Sequence, residues 1–287
     1  MKPEVKAFFD EQTFTVTYVL VEPSGRLCAI IDPVLDFDPA ACRTSTDSAD
    51  EVLQYISDRG LEVTWILETH AHADHLSAAG YMKAKTGGRT ATGKLITGVQ
   101  ATFKEIFNIG DDFVADGEQF DRLLDDGDLL NLGVMPIRVM HTPGHTQACV
   151  TYVAGDAAFV GDTLFMPDYG TARADFPGAD AATLFRSIQR IFKLPTTTRV
   201  FLCHDYKAPG RDEFAWETTV AEQMEHNIHI HKGVTEEEFV KFRQQRDAQL
   251  GMPKLILPSI QVNIRAGEMP PADDNGTVYL KLPLNVL

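Results

Sequence analysis

Two spacings of hydrophobic residues alternate along the chain and predict a fold that mixes strands with helices. Short runs rich in β-branched and aromatic residues have strand length, whereas other segments place apolar residues three or four positions apart, on one face of a helix. The predicted strands are 14–21, 27–31, 61–67, 89–92, 135–140, 149–153, 157–160 and 199–203. The predicted helices are 48–59, 81–86, 99–107, 180–192, 217–227 and 235–249. For the first helix, Asp47 or Ser48 is the expected cap and Gly60 the expected stop.

The chain changes character after the last predicted helix. Residues 258–265 and 277–282 are predicted to be extended, on either side of a proline-rich turn. The sequence has no internal repeat and no linker strong enough to separate two domains, and 287 residues can bury one substantial core. We therefore expect a single domain over 1–287. Its core would span about 10–232, with a C-terminal helix and extended tail, 233–287, packed on it.

Composition and charge narrow the range of partners. The chain is 44% hydrophobic and 23% charged, and 26 Lys and Arg against 41 Asp and Glu give a net charge of −15. This net negative charge does not attract a phosphate backbone or an anionic membrane, so we expect neither nucleic acid nor membrane as a partner. No apolar run has membrane-spanning length and residues 1–6 are unlike a signal or transit peptide, so we expect a cytoplasmic protein.

One short stretch, residues 69–79, carries the strongest chemical signal in the chain. It contains three imidazoles and a carboxylate within six positions. These residues are His70, His72, Asp74 and His75. The stretch follows the predicted strand 61–67 and precedes small residues that can begin a helix, so the four side chains lie on a strand-to-helix turn. Because imidazole is the commonest metal ligand in proteins, the turn predicts a metal site.

Three later strands also lead into possible metal ligands. His145 follows the strand 135–140 through a short loop. Asp162 lies two residues after the strand 157–160, and His204 comes directly after the strand 199–203. Side chains on strand-end loops can be held together by a rigid sheet. The full candidate set is His70, His72, Asp74, His75, His145, Asp162 and His204.

This set, with His-x-His-x-Asp-His at its head, resembles the metallo-β-lactamase superfamily. The resemblance implies an α/β fold, specifically an αββα sandwich of two mixed β-sheets flanked by helices, with the metal centre along one edge. It also implies that His145, which follows Pro143 and Gly144, binds the metal. His141 is expected to pack or to support a ligand.

The same residues allow two metal arrangements. If all of them are ligands, two divalent ions share Asp162 and the enzyme is a two-metal hydrolase. If only His70, His145 and Asp162 are ligands, the site is a 2-His-1-carboxylate triad for Fe(II). The remaining residues, His72, Asp74, His75 and His204, would then hydrogen-bond around the metal ligands.

Four further segments resemble bacterial persulfide dioxygenases, a branch of the superfamily. They are 170–178, 204–207, 211–219 and 258–267. This resemblance runs over nearly the whole chain. Glyoxalase II, the nearest hydrolase by its site, normally has a helical C-terminal domain that binds glutathione, whereas this tail is predicted to be extended. We take this difference in the tail as an argument against a hydrolase of glyoxalase II type.

The resemblance implies a non-haem Fe(II) dioxygenase of sulfide detoxification. Such an enzyme oxidises glutathione persulfide with O2 and water to glutathione and sulfite. One Fe(II) per subunit would be bound by His70, His145 and Asp162, which would form the catalytic centre. The resemblance also suggests a homo-oligomer, a dimer or a tetramer.

Glutathione carries two carboxylates, so cationic and phenolic groups near the metal are expected to bind it. The candidates are Arg173, Tyr206, Lys207 and Arg211. An equally good interpretation pairs Arg173 with Asp175 in its own loop. Lys207 and Arg211 are more simply read as solvated charges, although an acidic protein that binds an acidic thiol needs some local positive charge.

Two other functions stay open from the sequence. A dinuclear metal thioester hydrolase of glyoxalase II type, a hydroxyacylglutathione hydrolase, would use all the candidate ligands. A non-catalytic sulfur or redox sensor could keep the fold as a binding module, but an intact ligand set is hard to explain without chemistry.

Overall fold

Two six-stranded β-sheets lie face to face, with helices on their outer sides, in the computed structural model, which describes residues 2–286. The strands are β1 (Glu4–Asp10), β2 (Thr15–Val21), β3 (Leu27–Ile31), β4 (Val34–Asp38), β5 (Arg43–Ser45), β6 (Glu62–Leu67), β7 (Leu76–Ser77), β8 (Arg89–Gly93), β9 (Arg122–Leu124), β10 (Leu129–Leu132), β11 (Met135–His141), β12 (Val150–Ala154), β13 (Ala157–Phe159), β14 (Arg199–Phe201) and β15 (Glu217–Thr219). The helices are α1 (Asp47–Asp58), α2 (Ala79–Thr86), α3 (Ile96–Ile106), α4 (Ala181–Ile191), α5 (Val220–His226), α6 (Glu236–Asp247) and α7 (Ile256–Asn263).

Both large sheets are mixed. The first has the order β1-β2-β3-β6-β8-β9, and its pairs from β3 to β9 are parallel. The second has the order β10-β11-β12-β13-β14-β15, in which the β13–β14 pair is the parallel one. A small third sheet has the order β5-β4-β7. The predicted αββα sandwich of two mixed sheets is confirmed.

The main core lies between the two large sheets. Along β2, Tyr18 and Leu20 point into this core, while Val19 and Val21 point to the outer layer that contains α1 and α2. Alternate residues of a strand face opposite sides of the sheet. Because both sides are covered, every residue of β2 is buried, which explains its nearly continuous apolar sequence.

The outer face of the second sheet is covered in the same way. Leu184 and Ile188 of α4 and Phe239 of α6 pack with Val160 and Val200 at the strands beneath them. This layer completes the sandwich. The candidate ligands follow the carboxyl ends of β6, β11, β13 and β14, which all belong to its two sheets.

The predicted extended segment 258–265 is wrong, because Ile256–Asn263 forms α7. Ile and Val favour strands, and the prediction followed that preference. In the structure, however, Ile256, Ile260 and Ile264 lie four residues apart and all pack into one core cluster. That is the spacing of one helical face, so tertiary packing outweighs the local preference. Residues 277–282 are irregular and form no strand.

Two further boundaries differ from the predictions. Residues Glu217–Thr219, expected to begin a helix, pair with β14 as β15, and the helix begins at Val220 behind a capping box of Thr219 and Glu222. The first helix is preceded by Thr46 rather than capped by Asp47 or Ser48. The strand β1 was not predicted, and it pairs with β2 along its whole length.

The predicted single domain over 1–287 stays a prediction, and Met1 and Leu287 lie outside the described residues. Within residues 2–286, none of the helices is long and apolar enough to cross a membrane.

We expect Leu20→Ala to destabilise the protein by roughly 2–5 kcal/mol, because it leaves a cavity in a tightly packed core. Leu20 is 0% exposed between the sheets. Leu129→Ala is the matched control, because Leu129 is 54% exposed on the edge strand β10 and its loss should change stability by less than about 0.5 kcal/mol. Urea unfolding of the metal-free variants measures both changes in stability. Equal losses of stability would contradict the placement of Leu20 between the sheets and of Leu129 at an exposed edge.

Candidate metal centre

The histidine-rich turn follows β6, which lies in the middle of the first sheet between β3 and β8. The residues His70, His72 and His75 are at most 1% exposed. The carbonyl of Thr69 accepts a hydrogen bond from the N–H of Val150 in β12 at 2.9 Å. The turn is therefore held between the two large sheets and directs its imidazoles inward.

Asp32, directly after β3, supports the start of this turn. Its carboxylate accepts hydrogen bonds from the Thr69 N–H at 2.7 Å and from the Thr69 hydroxyl at 2.9 Å. Because that hydroxyl donates to Asp32, its oxygen accepts from Nδ1 of His70, 3.1 Å away. An imidazole protonated at Nδ1 has its lone pair on Nε2. His70 is therefore held in a form whose Nε2 can bind a metal.

The other two members of the proposed triad come from the second sheet. Nδ1 of His145 donates to the carbonyl of Arg173 at 2.9 Å, which again leaves Nε2 for a metal. Asp162 lies in the 3₁₀ turn Gly161–Thr163 after β13. Gly161 has φ +52, and a Cβ there would lie 2.5 Å from the Thr69 hydroxyl, so glycine allows this close approach to the histidine turn.

His70, His145 and Asp162 converge as one group. One donor atom from each lies within 4.8 Å of the other two. Nε2 of His145 is 3.8 Å from Oδ2 of Asp162, and the rings of His70 and His145 are 5.1 Å apart, edge to face. Two imidazoles and a carboxylate at this separation can hold one metal ion.

A second group lies beside the first and consists of His72, Asp74, His75 and His204. Nε2 of His204 is 3.1 Å from Asp74 and 3.3 Å from Asp162. The buried Thr15 hydroxyl lies 3.3 Å from Nδ1 of both His75 and His204. The structure therefore brings all the predicted ligands together, in two adjoining groups.

The inner atoms of both groups have no hydrogen-bond partner, although several lie close to one another. They are His70 Nε2, His72 Nδ1, Asp74 Oδ2, His75 Nε2, Asp162 Oδ1 and His204 Nε2. Buried polar atoms are almost always paired in native proteins, because leaving them unpaired is costly. A cation among them would satisfy these atoms, and nitrogen and carboxylate donors suit Fe(II) and Zn(II). The residues present therefore fit a metal centre.

His72 differs from the other histidines in its surroundings. Its Nε2 is 3.0 Å from Asp32 and 3.4 Å from Glu68, although neither contact has hydrogen-bond geometry. Both carboxylates are buried. Glu68 is in turn hydrogen-bonded by the hydroxyl of Ser77. The Nε2 of His72 therefore faces two negative groups, while its ring lies 4.0 Å from that of His70.

Electrostatics divides the five histidines of the centre into two sets: the pKa values of His70, His75 and His145 are lowered, chiefly by burial, and those of His72 and His204 are raised. Burial lowers the pKa of His70 well below its ordinary value, and it lowers the pKa of His145 against an opposing effect of Asp162. Burial also acts to lower the pKa of His72 and His204, but nearby carboxylates raise both pKa values well above the ordinary value. His70 and His145 are therefore neutral near pH 7, which is the form that binds metals.

A cavity of about 550 Å³ opens beside the centre, and His145, Asp162, Tyr206 and Arg173 line it. The ring of Tyr206 stacks on that of His204 at 5.6 Å. Arg173 makes two hydrogen bonds to Asp175, at 2.6 and 2.8 Å. The structure thus places both predicted substrate residues at the cavity, and it also contains the Arg173–Asp175 pair that was the alternative interpretation.

Lys207 and Arg211 lie outside the residues that line the cavity. Arg211 binds the carboxylates of Asp205 and Asp168, and the ammonium of Lys207 lies 4.2 Å from the centre of the Phe214 ring. Their predicted contact with substrate stays a prediction, and the structure gives both side chains other partners.

Three cations at the cavity were missed in the sequence: the buried Arg243, which is paired with Asp247, and two exposed ones. Arg246, near the end of α6, and Lys254, just before α7, both line the cavity and are exposed. In the sequence they are ordinary surface charges of a distant C-terminal segment. Only the packing of α6 and α7 beside the metal centre gives them a place there, and no local motif indicates it.

The match to protein families agrees with this geometry. The model of the metallo-beta-lactamase superfamily matches residues 12–204, which include every predicted metal ligand. The chain belongs to the metallo-beta-lactamase superfamily. The predicted membership of the superfamily is confirmed, and the ligands, the metal and the reaction require further argument.

Relatives of this superfamily member carry different names. This chain is 53% identical over 293 residues to a probable metallo-hydrolase from Burkholderia pseudomallei, with 99% of both chains covered. It is 48% identical over 288 residues to Glyoxylase B2 from Dictyostelium discoideum, covering all of this chain and 98% of that protein. It is 29% identical over 272 residues to the mitochondrial persulfide dioxygenase ETHE1 of Bos taurus, covering 93% and 91%.

Among solved structures, the crystal structure of ETHE1 from Myxococcus xanthus is similar to this superfamily member with a TM-score of 0.73. The two share 29% sequence identity, and the match covers 92% of this chain and 100% of the other. The similarity therefore extends beyond residues 12–204 into the C-terminal segment.

We expect a divalent metal to stabilise the protein and His145→Ala to abolish that gain. Free metal at 100 times its dissociation constant adds about 2.7 kcal/mol to the free energy of unfolding. His141→Ala is the control, because the half-buried His141 ring contacts the Leu124 carbonyl rather than the centre. Thermal unfolding with and without chelator measures the gain. The assignment of His145 as a ligand would be contradicted if His141→Ala lost the stabilisation by metal while His145→Ala kept it.

Proposed function

We propose that this protein is a persulfide dioxygenase with one Fe(II) per subunit, bound by His70, His145 and Asp162. Its substrates would be glutathione persulfide and O2. One persulfide, one O2 and one water give glutathione, sulfite and two protons, so atoms and charge balance. We keep a homo-oligomer, dimer or tetramer, and a cytoplasmic location as parts of the proposal.

The observation that carries the proposal is the position of His72. In a two-metal site His72 would be expected to join His70 and His145 around one ion. In the structure His72 instead groups with Asp74, His75 and His204. Its Nε2 faces Asp32 and Glu68, which leaves the unpaired Nδ1 as the nitrogen that could bind an ion in that group. His70, His145 and Asp162 are then left as a 2-His-1-carboxylate set, the arrangement typical of non-haem Fe(II) oxygenases.

The relatives support the same reaction at a distance. Cattle persulfide dioxygenase and Myxococcus ETHE1 match this chain over 93% and 92% of its length, at 29% identity. The match includes the C-terminal segment that lies beside the cavity. The relatives named metallo-hydrolase and Glyoxylase B2 match over the same length at higher identity, so the matches agree with the dioxygenase and the grouping of His72 carries the argument for it.

The chain's own residues prepare the cavity for an anionic persulfide. When bound, Fe(II) would supply the redox chemistry that couples O2 to the sulfur. Burial, with the charges of Asp74 and Asp162, raises the pKa of Tyr206 well above its ordinary value, so its hydroxyl stays protonated and can donate a hydrogen bond to the sulfur. Phe165 and Phe176 contribute apolar wall that limits water near the centre.

A dinuclear thioester hydrolase of glyoxalase II type is the second candidate. Two observations favour it: Asp74, His75 and His204 present unpaired atoms that could hold a second ion, and a relative at 48% identity is named Glyoxylase B2. The helical α7 also removes the argument that an extended tail excludes a hydrolase.

Oxygen uptake decides between the two candidates. Protein loaded anaerobically with Fe(II) should consume O2 and form sulfite when given glutathione persulfide, and His145→Ala should lower the rate by more than about 100-fold because a metal ligand is lost. The control is lactoylglutathione, which should not be hydrolysed. Absence of uptake, together with steady lactoylglutathione hydrolysis by the zinc-loaded protein, would replace the dioxygenase with the hydrolase.

We further expect Arg246→Gln and Lys254→Gln each to raise KM for glutathione persulfide roughly two- to fivefold, with kcat nearly unchanged. Exposed ion pairs contribute up to about 1 kcal/mol each, and the two carboxylates of glutathione would lose one partner in each variant. Lys241→Gln is the matched control, because Lys241 is an exposed cation of α6 outside the cavity lining. An equal rise in KM in all three variants would point to a general loss of charge instead.

A further inference from the structure

A buried amide from the C-terminal helix contacts the backbone of the histidine turn. The side-chain nitrogen of Asn263, the last residue of α7, donates to the carbonyls of His72 and His75, each at 2.8 Å. Its oxygen accepts from the N–H of Ser77, also at 2.8 Å. Asn263 is 4% exposed. One side chain thus bonds to three backbone groups within six residues of the turn.

These contacts fix the orientation of the amide. Two of its partners are carbonyls and one is an N–H, so exchanging the amide oxygen and nitrogen would place acceptor against acceptor. Both of its N–H donors are used. Aspartate has nearly the same shape but lacks these donors, and it would direct a carboxylate oxygen at the carbonyls of His72 and His75.

The turn needs support of this kind. Residues between β6 and β7 form no helix or strand, so their carbonyls have no ladder partners. Buried carbonyls require a hydrogen-bond partner, and Asn263 supplies it for two of them. The two carbonyls stand on either side of Asp74. Holding both sets the path of the backbone that carries the side chains of His72, Asp74 and His75.

Apolar packing places Asn263 where it can make these bonds. Ile256 and Ile260 of α7 pack in the same cluster as Ala71 and Ala73 of the turn. Val262 packs in another cluster, with Leu76 and Ala78 on the far side of the turn. The helix is therefore in contact with the turn on both sides of the amide, and it lies about 190 residues away in sequence.

We propose that Asn263 is a positioning residue of the metal centre, and that α7 is for this reason part of the site. Asn263 lies outside residues 12–204, which the superfamily model matches. The residue itself binds no metal. It holds the backbone of the turn so that the ligand side chains point at one centre, whichever reaction that centre catalyses.

The test compares metal binding in Asn263→Asp with the matched control Gln261→Ala. Gln261 is also on α7 and is 3% exposed, but its side chain bonds to Leu257 and Lys281, away from the turn. We expect Asn263→Asp to weaken Fe(II) and Zn(II) binding roughly 10- to 100-fold, the range for loss of a group that orients a ligand. Gln261→Ala should keep the affinity of the unchanged protein. Competition with a chelator measures both, and thermal unfolding of the metal-free variants shows how much stability each has lost.

The visible spectrum of the Co(II)-substituted protein separates positioning from simple loss of stability. Its bands depend on the geometry at the metal, so they should shift in Asn263→Asp and stay unchanged in Gln261→Ala. Asn263→Ser, which removes the amide without adding a charge, carries the same expectation if the aspartate variant does not fold. Folded Asn263 variants with unchanged affinity and unchanged Co(II) bands would overturn the proposal, and so would equal losses of affinity in Gln261→Ala.

Discussion

Burying imidazoles and carboxylates together, out of water, is the constraint on which the rest of this structure depends. Each such group costs free energy unless it has partners. The fold provides partners on the outer side of the rings: the Thr69 hydroxyl for His70, the Arg173 carbonyl for His145, and the Thr15 hydroxyl beside His75 and His204. The inner atoms are left unpaired, so folding and metal binding are linked at this site.

The two sheets and the C-terminal segment contribute different parts of the site. The sheets supply the candidate ligands, because the loops after β6, β11, β13 and β14 meet at one place between the layers. The C-terminal segment supplies the surroundings. Arg246 and Lys254 line the cavity, and Asn263 bonds to the backbone of the histidine turn. A ligand pattern shared across a superfamily does not by itself fix the reaction, so the surroundings of the centre have to be considered together with it.

The predictions succeeded where the signal was local. The strands 14–21 and 61–67 and the helix 180–192 follow clear hydrophobic spacings, and the structure has β2, β6 and α4 at these positions. They failed where packing outweighed propensity. In α7, residues that favour strands form a helix because Ile256, Ile260 and Ile264 can then bury one face. At Glu217–Thr219, pairing with β14 delays the start of a helix that its composition favours.

By itself, the sequence determined the superfamily and the candidate ligands, because four of these residues lie within six positions and the others closely follow strands. These features depend only on residue type and on short spacings along the chain. Only the tertiary structure decided that His72 lies between Asp32 and Glu68, that Arg211 is held by Asp168 and Asp205, and that α7 lies on the histidine turn. Such contacts join residues far apart in the chain, so they depend on how the layers pack, which no local pattern records.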